Sequence, residues 1–231
     1  SCEMGGPMIR KFLLAALLAL ATLSAEAANR FAVCTVTCNW NDVNSWSTTS
    51  GGGTGASVPG TSDAAILDAA TCVGGVTCTM TVDATVAAQS ITMGACTAST
   101  TGCILDFAAN DNNVTLSAAV GLSSSGTGTR ALNMGDGTWT FSGNNGNNID
   151  FTTVTNFTFA ANSSTIVMSG TATTFRAIVL GGKTFNNVTW NSHSGQIGRD
   201  SFSGTGTIAG TLTLNGPLGI TLLVDRHYLL L

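Results

Sequence analysis

Leu132-Asn133-Met134-Gly135-Asp136-Gly137-Thr138-Trp139-Thr140-Phe141-Ser142 is the stretch on which the fold turns. Two short runs, 131–134 and 138–142, alternate polar and apolar side chains, the period of a strand with one buried face. Gly135-Asp136-Gly137 separates them, and these residue types tolerate the φ > 0 conformations of a tight turn. The same unit, a short alternating run closed by Gly, Asn or Ser, fills the chain after Cys72. It predicts further strands at 79–82, 90–93, 103–107, 113–117, 148–151, 156–160, 164–168, 175–180, 187–190 and 211–214. No helical period longer than a turn or two is present beyond residue 27.

Composition agrees with this reading. The chain is dominated by Gly, Thr, Ser, Asn, Ala and Val, and Thr and Val suit a pleated, half-buried surface. Disorder is excluded by an apolar content of 44% combined with a charged content of only 9%. Beyond residue 27 there is no Glu, one Lys (Lys183) and five Arg, against ten Asp. Nucleic acid is therefore not an expected partner, because its binding depends on clustered Lys and Arg that displace counterions.

Asn156-Phe157-Thr158-Phe159 and Phe185-Asn186-Asn187-Val188-Thr189-Trp190 both set Asn beside alternating apolar residues, about thirty residues apart. That separation suits one coil of a β-solenoid, with Val, Ile, Leu and Phe stacked inward and Asn and Gly at the corners. The expected fold is all-β, a right-handed parallel β-helix with an N-terminal cap, and a β-sandwich is the alternative. Residues 28–71 form the cap region, with Trp40 and Trp46 as its anchors, because a repeat stack must cover its terminal apolar face. Residues 72–231 form the coils. Three consecutive leucines, Leu229-Leu230-Leu231, leave an apolar end, so the natural chain is expected to continue or another subunit to bury it.

The N-terminus points to export. Residues 1–7 lack signal character and read as upstream translation or a cloning scar. In 8–27, a basic start (Arg10, Lys11) precedes an apolar run from Phe12 to Leu23 and the small-residue sequence Ala25-Glu26-Ala27. This is the pattern of a signal peptide cleaved after Ala27. The run is shorter than the roughly 20 apolar residues of a membrane span, so no stable span is expected after cleavage. Cysteine usage fits an oxidising destination. Cys34 and Cys38, Cys72 and Cys78, and Cys96 and Cys103 fall into sequence-local pairs, although six cysteines leave other pairings open.

Asn39-Trp40 and Trp46-Ser47 ahead of Gly51-Gly52-Gly53, Val58-Pro59-Gly60 and Asp63, followed by 132–139 and Thr184-Phe185-Asn186-Asn187-Val188, resemble bacterial secreted right-handed β-helix proteins of the surface-adhesin and filament type. Phage-encoded fibre-like proteins share the same opening. The resemblance implies a secreted or cell-surface protein with a structural or adhesive role and transfers no catalytic residue.

The sequence expectation is therefore a Thr/Asn/Ser-rich solenoid face presented to carbohydrate or another surface. The alternatives are a polysaccharide lyase or hydrolase on the same fold and a self-assembling filament subunit. For an enzyme, His193, Arg199 and Asp200 form the candidate grouping, since His and Asp together can share acid/base work. No Asp-Asp pair or Gly-His-Gly accompanies them. Asn145, Asn148 and Asp150 are the candidate metal ligands, as oxygen-rich loops bind hard cations, but Asn-Gly chemistry alone accounts for such a turn. No cofactor is expected.

Overall fold

A computed structural model describes residues 27–96, 102–171, 175–191, 200–216, 223–224 and 229–230. The segment expected to be a signal peptide, up to Glu26, lies outside the described residues, as do His193 and Arg199.

The chain winds as a parallel β-solenoid, each coil contributing one strand in turn to three faces. Face I stacks Asn29–Ala32, Ala64–Leu67, Ser90–Met93, Leu122–Ser124, Gly146–Asp150, Arg176–Val179, Ser201–Ser203 and Leu223–Val224. Face II stacks Thr37–Asn39, Cys78–Thr81, Cys103–Asp106, Arg130–Asn133 and Phe157–Ala160. In the later coils a separate sheet of Thr184–Phe185, Gly206–Ile208 and Leu229–Leu230 takes the face II place. Face III stacks Val86–Ala88, Val114–Leu116, Thr138–Phe141, Thr165–Met168, Asn187–Asn191 and Leu212–Asn215. The strand pairings between coils are parallel, which excludes the sandwich.

Alternation within each strand sends every second side chain into the tube, where it lies on its equivalent from the next coil. On face I the inner column runs Ala65, Ile91, Leu122, Ile149, Ile178, Phe202. On face III one runs Val86, Val114, Trp139, Ile166, Val188, and another Ala88, Leu116, Phe141, Met168, Trp190. All of these are buried. The step along face III varies from 22 residues (Thr165 to Asn187) to 28 (Val86 to Val114), so strands keep register while the corner loops absorb the difference.

The corners account for Gly135-Asp136-Gly137. Gly135 has φ 66°, and a Cβ there would sit 2.8 Å from the Phe107 carbonyl oxygen of the coil below. At Gly137 a Cβ would lie 2.4 Å from the Asn112 carbonyl, so only glycine lets the coils approach. Between them Asp136 Oδ1 accepts from the Ser163 backbone N–H, 27 residues on, at 3.0 Å. Asp111 does the same for Asp136 N–H at 2.8 Å, and Asn113 for Thr138 N–H at 2.8 Å.

Several strands are absent from the sequence expectation. Val86–Ala88 and Leu122–Ser124 have three residues each, too few to display an alternation. Residues 185–190, taken there as one recurring unit, bend at Asn186 and divide between Thr184–Phe185 and Asn187–Asn191.

In the N-terminal region, Asn29–Ala32 and Thr37–Asn39 already pair in parallel with Ala64–Leu67 and Cys78–Thr81. The terminal edge of face I is covered by Trp46–Ser47, which runs antiparallel to it. Trp40 and Trp46 are buried edge to face with ring centroids 4.8 Å apart, and the Trp46 indole N–H donates to the Trp40 carbonyl at 2.7 Å. A single 3-10 turn, Val43–Ser45, lies between them, capped by Asp42.

The disulfides are Cys34–Cys38, Cys72–Cys78 and Cys96–Cys103, the sequence-local set. They lie one above another at the corner from face I to face II: the Cys34 and Cys72 backbones pair as an isolated parallel β-bridge, and Cys78 is in register with Cys103. The next position in that column is Arg130, then Phe157. Arg130, 1% exposed, takes over the closing of the corner. Its guanidinium donates to the Ser124 hydroxyl and to the carbonyls of Gly128, Thr153 and Thr155, and it lies over the Phe157 ring.

Candidate functional site

The candidate catalytic grouping is reduced to Asp200 among the described residues. Asp200 is 3% exposed and turned into the tube. Its carboxylate accepts from Arg176 Nε at 3.2 Å and Arg176 Nη2 at 2.7 Å, and from the Trp190 indole N–H at 2.6 Å. Arg176 is fully buried and also donates to the carbonyls of Gly170 and Asn191. Sequence reasoning placed Asp200 on a polar stretch between strands; its interior position follows from the partner that Arg176 supplies from the coil below.

The candidate metal ligands do not converge. Asn145 is exposed on the turn before Gly146–Asp150. Asn148 is buried, and its amide donates to the Ala119 and Gly143 carbonyls, both at 3.2 Å. Asp150 faces outward and accepts from the Thr152 N–H and hydroxyl and from the Asn147 amide. Burial pushes its carboxyl upward, but these hydrogen bonds outweigh that and hold it below the ordinary carboxylate value. Among the described residues no group of three or more His, Cys, Asp or Glu side chains is placed to hold a metal ion. A shallow pocket of about 130 Å³ lies on face II over Cys103, Thr129 and Arg130; the Arg130 donors are directed to the core-side partners named above, not to a ligand.

The outward side of face III is different in kind. Five coils repeat one pentapeptide pattern: Asn113-Val114-Thr115-Leu116-Ser117, Thr138-Trp139-Thr140-Phe141-Ser142, Thr165-Ile166-Val167-Met168-Ser169, Asn187-Val188-Thr189-Trp190-Asn191 and Thr211-Leu212-Thr213-Leu214-Asn215. In the first four the second and fourth residues form the inner columns described above, so the others project outward, whereas in the last coil Leu212 is half-buried and Leu214 is 42% exposed. Register places Thr115, Thr140, Val167, Thr189 and Thr213 in one straight column, with Ala87 at its foot. Thr138, Thr165 and Asn187 form a second column beside it.

The array is regular and free of charge. The register of face III is continuous through six strands, whereas face I shifts between Asn147 and Ile149. No Asp, Arg or Lys occurs in the five pentapeptides. The outer serines are tied to the backbone: Ser142 Oγ donates to the Leu116 carbonyl and Ser169 Oγ to the Phe141 carbonyl, each at 3.3 Å. The hydroxyls of Thr115, Thr138, Thr140, Thr165, Thr189 and Thr213 make no hydrogen bond to another described residue. Their bonding capacity is directed to whatever meets the face.

Sequence reasoning anticipated a Thr/Asn/Ser-rich face without locating it. The signal was present in the recurring polar-apolar-Thr-apolar-Ser/Asn pentapeptide, but its step changes from coil to coil, which defeats a search for a fixed period. No helix among the described residues is long and apolar enough to cross a membrane. No family model, curated protein or solved structure matches this chain.

Proposed function

We propose that this is an exported structural or adhesive protein that holds an extended surface through face III. The observation that carries the reading is the uncharged, in-register column Thr115, Thr140, Val167, Thr189, Thr213, with the unbonded hydroxyls of Thr138 and Thr165 in the column beside it. Each contact to such a face is weak, but the contacts are fixed relative to one another and act together, which raises avidity without a deep pocket. The disulfide-closed corner and the N-terminal apolar run support export to an oxidising compartment. The resemblance to secreted β-helix adhesins supports the same role. Engagement of Asp200 by Arg176 and Trp190 favours this reading over the polysaccharide-degrading alternative, since that carboxylate faces the core.

The test is adsorption of the full secreted chain to a panel of insoluble neutral polysaccharides and other solid surfaces. Wild type is expected to sediment with at least one of them, and the Thr140→Tyr/Thr189→Tyr double variant to lose that binding by about tenfold or more. A Thr92→Tyr variant on face I is expected to bind as wild type. Loss with Thr92→Tyr and retention with the face III variant would reject the reading.

A further inference from the structure

We infer that the surface recognised by face III is crystalline water, ice; this rests on face III being the binding face. Neighbouring strands stand about 4.8 Å apart and alternate residues of one strand about 6.7 Å apart, so the outward threonines occupy a two-dimensional grid. Continuous register over six strands and the packed columns beneath, Trp139 on Ile166 and Phe141 on Met168, keep that grid fixed. A partner profits from a fixed grid only if it repeats in both directions with matching steps. Ice exposes rows of water oxygens whose separations are close to both.

The chemistry of the grid points the same way. A threonine hydroxyl donates and accepts as a lattice water does, and those of Thr115, Thr138, Thr140, Thr165, Thr189 and Thr213 have no competing bond among the described residues. The γ-methyl beside each hydroxyl fills space without demanding a partner, which is also what Val167 supplies in the same column. β-Branching restricts χ1, so little side-chain freedom is lost on contact. Charge would hold its own hydration shell against the lattice, and the five pentapeptides carry none. Sugar rings present apolar faces that stack on aromatic rings; here Trp40, Trp46, Trp139 and Trp190 are all at most 2% exposed, so face III offers no such platform.

The experiment is slow freezing of a dilute solution of the full chain onto a cooled probe, followed by measurement of protein in ice and in liquid. Thermal unfolding of every variant confirms that the fold is unchanged. Wild type is expected to be enriched in the ice at least about tenfold over an inert protein of similar size, and to suppress recrystallisation of fine-grained ice. Thr140→Tyr/Thr189→Tyr should fall to the inert level, Thr140→Val/Thr189→Val should lose part of the enrichment, and Thr92→Tyr should retain all of it. Exclusion of wild type from ice overturns the inference. If an insoluble polysaccharide then binds wild type and not the face III variant, the surface-binding reading stands without ice; if neither surface is bound, both fail.

Discussion

Two buried guanidinium groups show how far single residues decide the stability of this tube. Arg176 and Asp200 are desolvated together, and removing one partner leaves an uncompensated charge in the core. Asp200→Ala is expected to lower unfolding stability in urea by about 3 to 5 kcal/mol, whereas Arg176→Met with Asp200→Leu should recover most of the loss. An Asp200→Ala protein as stable as wild type would contradict the pairing. Arg130→Met is expected to lose about 3 kcal/mol or more, because the Gly128, Thr153 and Thr155 carbonyls and the Ser124 hydroxyl lose their donor. Asp150 carries a pH dependence of definite sign. Its folded-state pKa lies below the ordinary 3.8, so its contribution is fully present above that value and is lost as pH falls through the folded pKa. The advantage of wild type over Asp150→Asn in urea unfolding should therefore be constant near neutrality and shrink only in that acid range. The arginine partnerships were not legible in the sequence: Arg176 and Asp200 are 24 residues apart, and which residues meet depends on coil length.

At the scale of elements, the strands were legible because alternation reports one buried face, and 90–93 and 138–141 emerge much as the residues suggest. Short strands such as Leu122–Ser124 were hidden, since neighbours in the stack rather than their own pattern define them. The corner from face I to face II was half legible. Cysteine spacing suggested the local pairs, but nothing in the sequence indicated that Arg130 continues the column above Cys103. Each disulfide closes a loop of only four to seven residues, so the loop-entropy model gives about 2 kcal/mol per bridge. Replacing both Cys72 and Cys78 by Ser should lower unfolding stability by about 2 kcal/mol, roughly 4 to 8 °C in the thermal midpoint, without abolishing the fold. Collapse of the fold in that variant would mean that the bridge positions the coils as well as closing the loop.

At the scale of the whole molecule, charge is moved off one face. Asp42, Asp83, Asp106, Asp111 and Asp136 lie in turns or at the ends of face II strands, Arg130, Arg176 and Asp200 are buried, and the outward pentapeptides of face III are neutral. The N-terminal edge of face I is closed by Trp46–Ser47, which weighs against growth of a filament through that edge. The composition foretold a weakly charged, Thr-rich surface, yet its assembly into one grid depends on register that only the winding of the chain creates. Spin-label distances along that grid test it directly. With one label at Thr115 and a second at Thr140, Val167, Thr189 or Thr213 in turn, the separation should grow by about 4.8 Å per coil, to roughly 19 Å at Thr213. Distances that fail to increase in that order, or that jump by more than a strand spacing, would contradict the stacked column and with it the binding face.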